Sequence, residues 1–402
     1  MSGPRSDAHP ALVLFALAVG AFAIGTTEFA SMSLLPFFAR DLGIDTPTAG
    51  HAISAYALGV VVGAPIIAAF GARLPRRLLL VGLMAMFAIG NGLSAISPSY
   101  HWMLFFRFLS GLPHGAYFGV AALVAASLVP IERRSQAIAR MFSGLTIATI
   151  IGVPVANWMG QALGWRWGFG VVTVLAMATM TLVALFAPRD RGDPAASPMR
   201  EMTALAKPQV WLTLLTGAIG FGGLFAVYTY VASTMIEVTH VSEGYVPLIL
   251  AIFGVGMTLG NLASAWLADR TTPGALNRTV IGILLWSAAS LALFPLMAGN
   301  IWTLSIVIFL IGAGGGLGTP LQARLMDVAG DAQTLAAGLH HSAFNVANAL
   351  GPWLGGMAIA GGYGLTSTGW IGAALALAGL GVFLLSITLE RQTRRAVLVP
   401  CE

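Results

Sequence analysis

Long apolar runs separated by short polar connections fill most of the sequence. Each run has roughly 20 residues and is bounded by charged or turn-forming residues, and about 20 apolar residues suffice for an α-helix to cross a bilayer. The pattern predicts an all-α polytopic membrane protein with twelve transmembrane helices. Their predicted starts lie near Ala11, His51, Leu78, His101, Ala137, Trp165, Gln209, Tyr245, Thr279, Ile301, Thr334 and Ser367.

The longest polar segment, residues 188–208, lies between the sixth and seventh predicted helices. It is rich in proline and charge, which is typical of a linker. The sequence therefore predicts an N-terminal six-helix bundle over residues 1–187 and a linker over 188–208. A C-terminal six-helix bundle over 209–389 and a tail over 390–402 follow.

The two predicted bundles are related in sequence. Gly59-x-x-x-Gly63 in helix 2 corresponds to Gly256-x-x-x-Gly260 in helix 8, and Arg73 corresponds to Arg270, all at a constant offset of 197 residues. The constant offset indicates an internal duplication. Small residues four apart let two helices approach closely, so the same close helix contact is expected in both halves.

The charge distribution sets the orientation of the chain. Only 9% of residues are charged, against about 25% in soluble domains, and most basic residues fall on the side that holds both termini. By the positive-inside rule both termini are cytoplasmic. The net charge of +5 then indicates contact with anionic membrane lipid, and no nucleic-acid partner is expected. The first apolar run is too long for a cleaved signal peptide.

Four stretches carry a resemblance to a known family: GTTEF at residues 25–29, RFLSGLPHGAYFG at 107–119, GVPVANWMGQALGWR at 152–166 and FNVANALG at 344–351. The chain resembles the major facilitator superfamily, and within it the twelve-helix drug:proton antiporters, particularly bacterial arabinose-efflux, sugar-efflux and chloramphenicol-resistance permeases. The resemblance implies the major facilitator fold of two pseudo-symmetric bundles that alternate in access. It also implies proton-coupled export of drugs or sugars, and hence multidrug resistance or sugar efflux, at a bacterial inner membrane.

The connection after helix 2 departs from the superfamily pattern G-x-L-A-D-R-x-G-R-R. This chain has AAFGARLPRR, which keeps Arg73, Arg76 and Arg77 but has alanine where the pattern has aspartate. The second half keeps Asp269 and Arg270. The resemblance implies a gating role for these five residues, and the alternative is that the arginines only set topology.

Glycine and proline predict bends in helices 5 and 11. Gly152 and Pro154 form a degenerate match to the antiporter pattern G-P-x-x-G-G, and Gly351 and Pro352 begin a literal match. Neighbouring membrane helices re-satisfy the backbone groups that proline frees, so these positions are predicted to bend without breaking the span.

Enzyme and ATPase motifs are absent from the sequence. The single lysine, Lys207, follows an alanine, so no Gly-Lys-Ser/Thr phosphate loop exists, and neither HExxH nor G-x-S-x-G occurs. The sequence therefore predicts a transporter rather than an enzyme, without a cofactor or metal. Protons and a small-molecule substrate are its expected partners, and a monomer is expected.

Glu28 is the candidate proton carrier. It lies in an apolar helix, and an intramembrane acid is costly and faces the bundle interior. Arg107 in helix 4 is predicted to lie at a similar depth, and His114 shares its helix face. We interpret Glu28 as the residue that exchanges a proton during alternating access. Arg107 would favour the ionised form of Glu28 in one conformational state, and His114 would relay the proton. The alternatives are a permanent Glu28–Arg107 ion pair and a structural histidine.

The second half has no counterpart to either charge. At the repeat offset of 197 residues, Glu28 corresponds to Phe225 and Arg107 corresponds to Leu304. Uncharged polar residues are the candidate substrate contacts, although hydrogen bonds between helices would equally explain them. Two rival functions stay open, namely proton-coupled import and a non-transporting membrane sensor. The candidate substrate contacts are Thr27, Tyr228, Tyr230, Gln322, His341, Asn345 and Asn348.

Overall fold

A computed structural model describes residues 9–71, 74–130, 133–189, 206–268, 270, 274–329 and 333–398. These residues form α-helices with short connections, a few π or 3₁₀ turns, and no strand. The predicted all-helical fold is therefore confirmed. Arg73 and Asp269, two of the predicted gating residues, lie outside the described residues, as does most of the predicted linker.

Nine α-helices make up the first six predicted spans. In chain order they are α1 (Pro10–Ser33), α2 (Leu35–Leu42), α3 (Thr46–Gly71), α4 (Arg76–Ala95), α5 (Tyr100–Gly111), α6 (His114–Ser127), α7 (Arg134–Ile147), α8 (Val153–Leu163) and α9 (Trp165–Phe186). A π-helical turn, Ala148–Gly152, joins α7 to α8.

Eight α-helices make up the remaining spans. They are α10 (Pro208–Gly220), α11 (Gly222–Glu237), α12 (Val246–Ala268), α13 (Ala275–Met297), α14 (Ile301–Ala313), α15 (Gly318–Ala329), α16 (Gln333–Ala358) and α17 (Ser367–Leu398). A 3₁₀ turn, Glu243–Tyr245, precedes α12, and a second one, Gly314–Leu317, joins α14 to α15.

Eleven spans within the described residues are long and apolar enough to cross a membrane. The twelfth predicted span corresponds to α16, which has 26 residues but is less apolar because it carries two histidines and two asparagines. The largest shift from a predicted start is at the second span, which begins at Thr46 instead of His51. Apolar run length thus predicted where each span lies.

The interruptions inside spans were not predicted from run length. The fourth span divides into α5 and α6 at Leu112 and Pro113, where proline cannot donate a backbone hydrogen bond. The seventh span divides at Phe221. Arg107 and Gly111 therefore lie on α5 and His114 begins α6, so the three residues do not share one unbroken helix.

The two predicted bends differ in structure. Gly152 ends the π-helical turn and Pro154 lies in the first turn of α8, so the fifth span does change its helical geometry there. By contrast, α16 runs through Gly351 and Pro352, and its π-helical turn follows later, at Ile359–Tyr363.

The duplicated glycine pairs make the same contact in both halves, as the sequence predicted. A Cβ added to Gly59 would lie 2.2 Å from the carbonyl oxygen of Phe108, and one added to Gly256 would lie 2.4 Å from that of Phe309. A Cβ added to Gly63 would lie 2.1 Å from the carbonyl oxygen of Leu112, and one added to Gly260 would lie 2.1 Å from that of Ala313. A side chain at any of these glycines would force the helices apart.

The chain divides into two compact units. The first contains Met1–Pro198 and Tyr228–Val255, and the second contains Met199–Val227 and Gly256–Glu402. In the first unit, apolar residues of α1, α3, α4, α6, α7 and α9 form one buried cluster. This cluster supports the face of α1 that carries Glu28. The boundaries of the two six-helix bundles stay a prediction.

Candidate functional site

Arg107 lies fully inside the first unit. It is 1% exposed and is the single charged residue of α5 when histidine is neutral. Its Nη1 donates to Thr27 Oγ1 at 3.4 Å and its Nη2 donates to Ser31 Oγ at 3.2 Å. The guanidinium therefore fixes α5 to α1 through hydroxyl groups, while its Nε has no hydrogen-bond partner.

Two aromatic rings flank the Arg107 guanidinium. Its Cζ lies 4.2 Å from the ring centroid of Tyr56 and 5.3 Å from that of Phe169. A desolvated cation over an aromatic face gains up to about 2 kcal/mol. These rings, from α3 and α9, compensate part of the cost of burying the charge.

Glu28 belongs to the same buried group of residues. It follows Thr27 on α1, is 9% exposed, and interacts electrostatically with Arg107 and Tyr56. Glu28 and Arg107 thus lie in the same unit. An acid and a base held together in a low-dielectric interior influence each other strongly.

His114 joins this group through Tyr56. The Nδ1 atom of His114 lies 2.8 Å from Tyr56 Oη, and the two rings have centroids 5.7 Å apart. His114 is 2% exposed. Tyr56 was missed by the sequence analysis, although a phenol in an apolar helix was a visible signal.

Asn91 is a second residue that the sequence analysis missed. Thr27 Oγ1 donates to Asn91 Oδ1 at 2.6 Å, and Asn91 Nδ2 donates to the carbonyl oxygen of Phe87 at 2.9 Å. Thr27, a predicted substrate contact, therefore bonds both Asn91 and Arg107. Its hydroxyl connects α4 with α5 through α1.

Tyr228 and Tyr230 are both buried in the first unit. The Tyr228 ring packs against Phe253, with centroids 4.2 Å apart, and edge-on against Phe29 at 5.5 Å. The Tyr230 hydroxyl lies against Gly50, where an added Cβ would be 2.2 Å away. Tyr228 is thus adjacent in space to Phe29, the residue that follows Glu28.

The remaining predicted substrate contacts lie in the second unit, on α15 and α16. Gln322 and His341 are half-buried, whereas Asn345 and Asn348 are 3% and 0% exposed. Asn345 Nδ2 donates to the carbonyl oxygen of His341 at 3.0 Å, and its Oδ1 has no hydrogen-bond partner. Asn345 thus offers an acceptor to a further group.

Polar contacts fasten the end of the first unit at which α2 ends and α12 begins, here called the far end. Arg40 Nη2 lies 2.6 Å from Glu243 Oε1, and Gln161 Nε2 donates to the carbonyl oxygen of Glu243 at 2.8 Å. The Glu243 turn is thereby bound to both α2 and α8.

A second ion pair lies at the far end and stays within residues 41–166. Arg166 Nη1 lies 2.5 Å from Asp41 Oδ2, and the indole of Trp165 donates to the same oxygen at 3.0 Å. The hydrogen bonds from Arg166 and then Trp165 lower the pKa of Asp41 below its usual value. Asp41 is therefore ionised at neutral pH.

Arg76 and Arg77, two of the described gating residues, lie at the opposite end of the first unit, and Arg270 lies in the second unit. Arg77 donates to the carbonyl oxygens of Ala184 and Ala187 and so caps the C-terminus of α9. Arg76 is exposed, and exposed Arg270 stacks on Trp266 with its Cζ 3.9 Å from the ring centroid. In the second unit, Arg324 pairs with Glu390 at 2.7 Å.

Among the described residues, no group of three or more His, Cys, Asp or Glu side chains is arranged to hold a metal ion. The first unit contains a buried acid, a buried guanidinium and an imidazole, and the Tyr56 side chain contacts both the guanidinium and the imidazole.

Comparisons with known proteins show which family the chain is similar to. A sequence model described as Major Facilitator Superfamily matches residues 17–280 and 233–398. Inner membrane transport protein YdhP of Escherichia coli strain K12 is 40% identical across 94% of this chain and 96% of its own. A chloramphenicol resistance protein of Streptomyces lividans is 34% identical across 85% of this chain and 87% of its own.

A solved structure has the same fold. It is that of a bacterial homologue of the human lysosomal transporter Spinster, in an inward-facing and occupied conformation, with a TM-score of 0.71 and 15% identity. The match covers 94% of this chain and 97% of that one. At this identity the likeness concerns the fold alone.

Proposed function

Because the chain belongs to the major facilitator superfamily and is thus a multi-pass transporter of a bacterial inner membrane, we propose that it exports small organic molecules in exchange for protons. In this proposal Glu28 carries the proton. Arg107 stabilises the ionised carboxylate in one state of the cycle and loses contact with it in the other. His114 relays the proton.

One observation carries the proposal: Glu28 and Arg107 are buried in the same network of one unit. An intramembrane acid has a cost of about 2.5 to 3.5 kcal/mol on insertion scales, and a purely apolar residue at position 28 would avoid it. The hydroxyl and aromatic partners of Arg107 keep the guanidinium in place when the acid is neutral. That arrangement supports a group that changes its charge during transport.

The proposed substrates are uncharged or singly charged molecules with an apolar body and hydroxyl or amide groups. In the first unit, Tyr228 with its aromatic neighbours suits an apolar body. In the second unit, taken by itself, Asn345 with its open acceptor suits a hydroxyl or amide donor. The Streptomyces relative is named for chloramphenicol resistance, and chloramphenicol has these features. Sugars, which the family resemblance also implies, are the second substrate class.

Proteoliposomes that enclose a pH-sensitive dye test the proposed function. Chloramphenicol or L-arabinose is added outside at equal starting pH, and protein-free liposomes are the control. Entry of substrate through an antiporter drives protons out, so the lumen is expected to become alkaline. Acidification would identify a symporter and overturn proton-coupled export, and no response to either compound would remove both substrate classes.

We further propose that the far end faces the periplasm and that the Arg40–Glu243 pair holds it closed. The pair joins α2 to the turn before α12, and both side chains are partly exposed. Exposed ion pairs contribute up to about 1 kcal/mol, which is small enough for the transport cycle to break. The Arg40–Glu243 pair therefore favours the closed state of the far end by a free energy that the transport cycle can overcome.

Replacing Glu243 by Gln is expected to open the far end more often. The readout is labelling of a cysteine at buried Ser233 on α11 by an external, membrane-impermeant maleimide, in a Cys401→Ser background. Labelling is expected to rise up to about fivefold, because loss of about 1 kcal/mol shifts the equilibrium by that factor. Asp41→Asn is the matched control, since it breaks the other far-end pair and should leave labelling unchanged. Equal effects of both variants would contradict the assigned role of Glu243.

A further inference from the structure

We propose that Tyr56 is the positioning residue that connects Arg107 with His114 and that holds the imidazole with Nδ1 as hydrogen-bond acceptor. The inference rests on the proposed function, in which Arg107 and His114 take part in proton transfer. It adds a neutral side chain from a third helix, α3.

The two ends of the Tyr56 side chain make two different contacts. Its ring centroid lies 4.2 Å from the Arg107 Cζ, and its hydroxyl lies 2.8 Å from His114 Nδ1. Tyr56 is 1% exposed, so water does not compete for either contact. One rigid side chain with two rotatable bonds thus spans the space between a cation and an imidazole.

The backbone of Tyr56 is also fixed. A Cβ added to Gly111 of α5 would lie 2.1 Å from the carbonyl oxygen of Tyr56, so the two helices touch directly at this residue. Close contact between α3 and α5 at Gly111 leaves the Tyr56 ring little freedom to withdraw from Arg107. Helix packing therefore sets the position of the phenol, and the hydrogen bond of the phenol in turn sets the orientation of the His114 ring.

The electrostatics favour one direction for the Tyr56–His114 hydrogen bond. A cation over the ring draws electron density from the phenol and strengthens its O–H as a donor. Tyr56 is therefore expected to donate to His114 Nδ1, which leaves the proton of the neutral imidazole on Nε2. Glu28 on α1 and Arg107 on α5 are charged groups that act on Tyr56. Phe118 adds an apolar ring 5.3 Å from that of His114.

Nitrogen-15 NMR of histidine-labelled protein tests the tautomer directly. The signals of His114 are assigned by comparison with His114→Gln. In wild type, Nδ1 is expected unprotonated and Nε2 protonated, and in Tyr56→Phe the single tautomer is expected to become a mixture. The Tyr56→Phe variant keeps the ring and its cation contact, so only the hydroxyl is removed.

Tyr117→Phe is the matched control. Tyr117 is equally buried in the same unit, and its hydroxyl donates to the carbonyl oxygen of Leu17 at 2.9 Å, outside the Arg107 group. This variant should leave the His114 signals unchanged. Wild type with its proton on Nδ1, or a Tyr56→Phe spectrum equal to that of Tyr117→Phe, would overturn the inference.

Transport provides the second readout. Substrate-driven proton movement is expected to fall about fivefold in Tyr56→Phe, the factor that loss of one buried hydrogen bond corresponds to, and to be unaffected in Tyr117→Phe. Unaltered proton movement in Tyr56→Phe would overturn a positioning role in transport. The NMR result does not depend on transport, so a failure of the proposed function would leave the tautomer assignment standing.

Discussion

Replacement of Glu28 by Gln is expected to abolish substrate-driven proton movement while substrate binding persists. Glutamine keeps the shape of the side chain and can still hydrogen-bond inside the Arg107 group, but it cannot gain or lose a proton in the physiological range. The measurement uses dye-loaded proteoliposomes for proton movement and equilibrium binding of labelled chloramphenicol for affinity. Because the two readouts are separate, a loss of coupling is distinguished from a loss of fold.

Glu237→Gln is the control for this prediction. Glu237 ends α11 and is exposed, so the same chemical change occurs there outside the buried group. Coupling should be normal in that variant. If Glu28→Gln also couples normally, the carboxylate is structural, and His114 or the polar residues of α16 become the candidates for the proton carrier.

Sequence alone predicted the spans well because a bilayer imposes one dominant rule, the length of an apolar run. The duplicated glycines were equally informative, since a side chain at Gly59 or Gly256 would collide with a neighbouring backbone. The interruption at Phe221 was not predicted, although Gly220, Gly222 and Gly223 flank it. Glycine is a local signal for a helix kink, but it is so frequent in membrane helices that it does not single out one position.

The charged members of the candidate site were predicted because charges are rare in membrane helices, so that Glu28 and Arg107 stood out. Tyr56 and Asn91 were not predicted, since tyrosine and asparagine are common enough in spans that neither identifies its partner. Spacing along one helix gives a shared face, but pairing between α3, α4 and α5 requires three-dimensional contacts. The neutral residues that contact a buried charge are therefore the part of the site that the sequence predicted least well.

Arg107→Met is expected to destabilise the protein by about 3 kcal/mol or more, because removing one member of a buried charge pair leaves the other uncompensated. Methionine retains an unbranched apolar side chain in place of the aliphatic part of the arginine. The free energy of unfolding is measured by denaturant titration of the purified protein in detergent micelles. Arg166→Met is the control, since its pair with Asp41 is partly exposed and should contribute about 1 kcal/mol or less.

The double variant Glu28→Gln/Arg107→Met decides how strongly the two charges interact. It should be more stable than Arg107→Met alone by at least about 1 kcal/mol, because the acid that lost its partner is then also neutral. The single variant Glu28→Gln completes the cycle, and an equal effect of Glu28→Gln in wild type and in Arg107→Met would mean that Glu28 and Arg107 do not interact. A proton carrier needs an interaction of intermediate size, since each 1.4 kcal/mol changes proton affinity by about a factor of ten. An interaction of about 3 kcal/mol corresponds to a change of about a hundredfold in proton affinity, which is the size that the proposed capture and release of a proton requires.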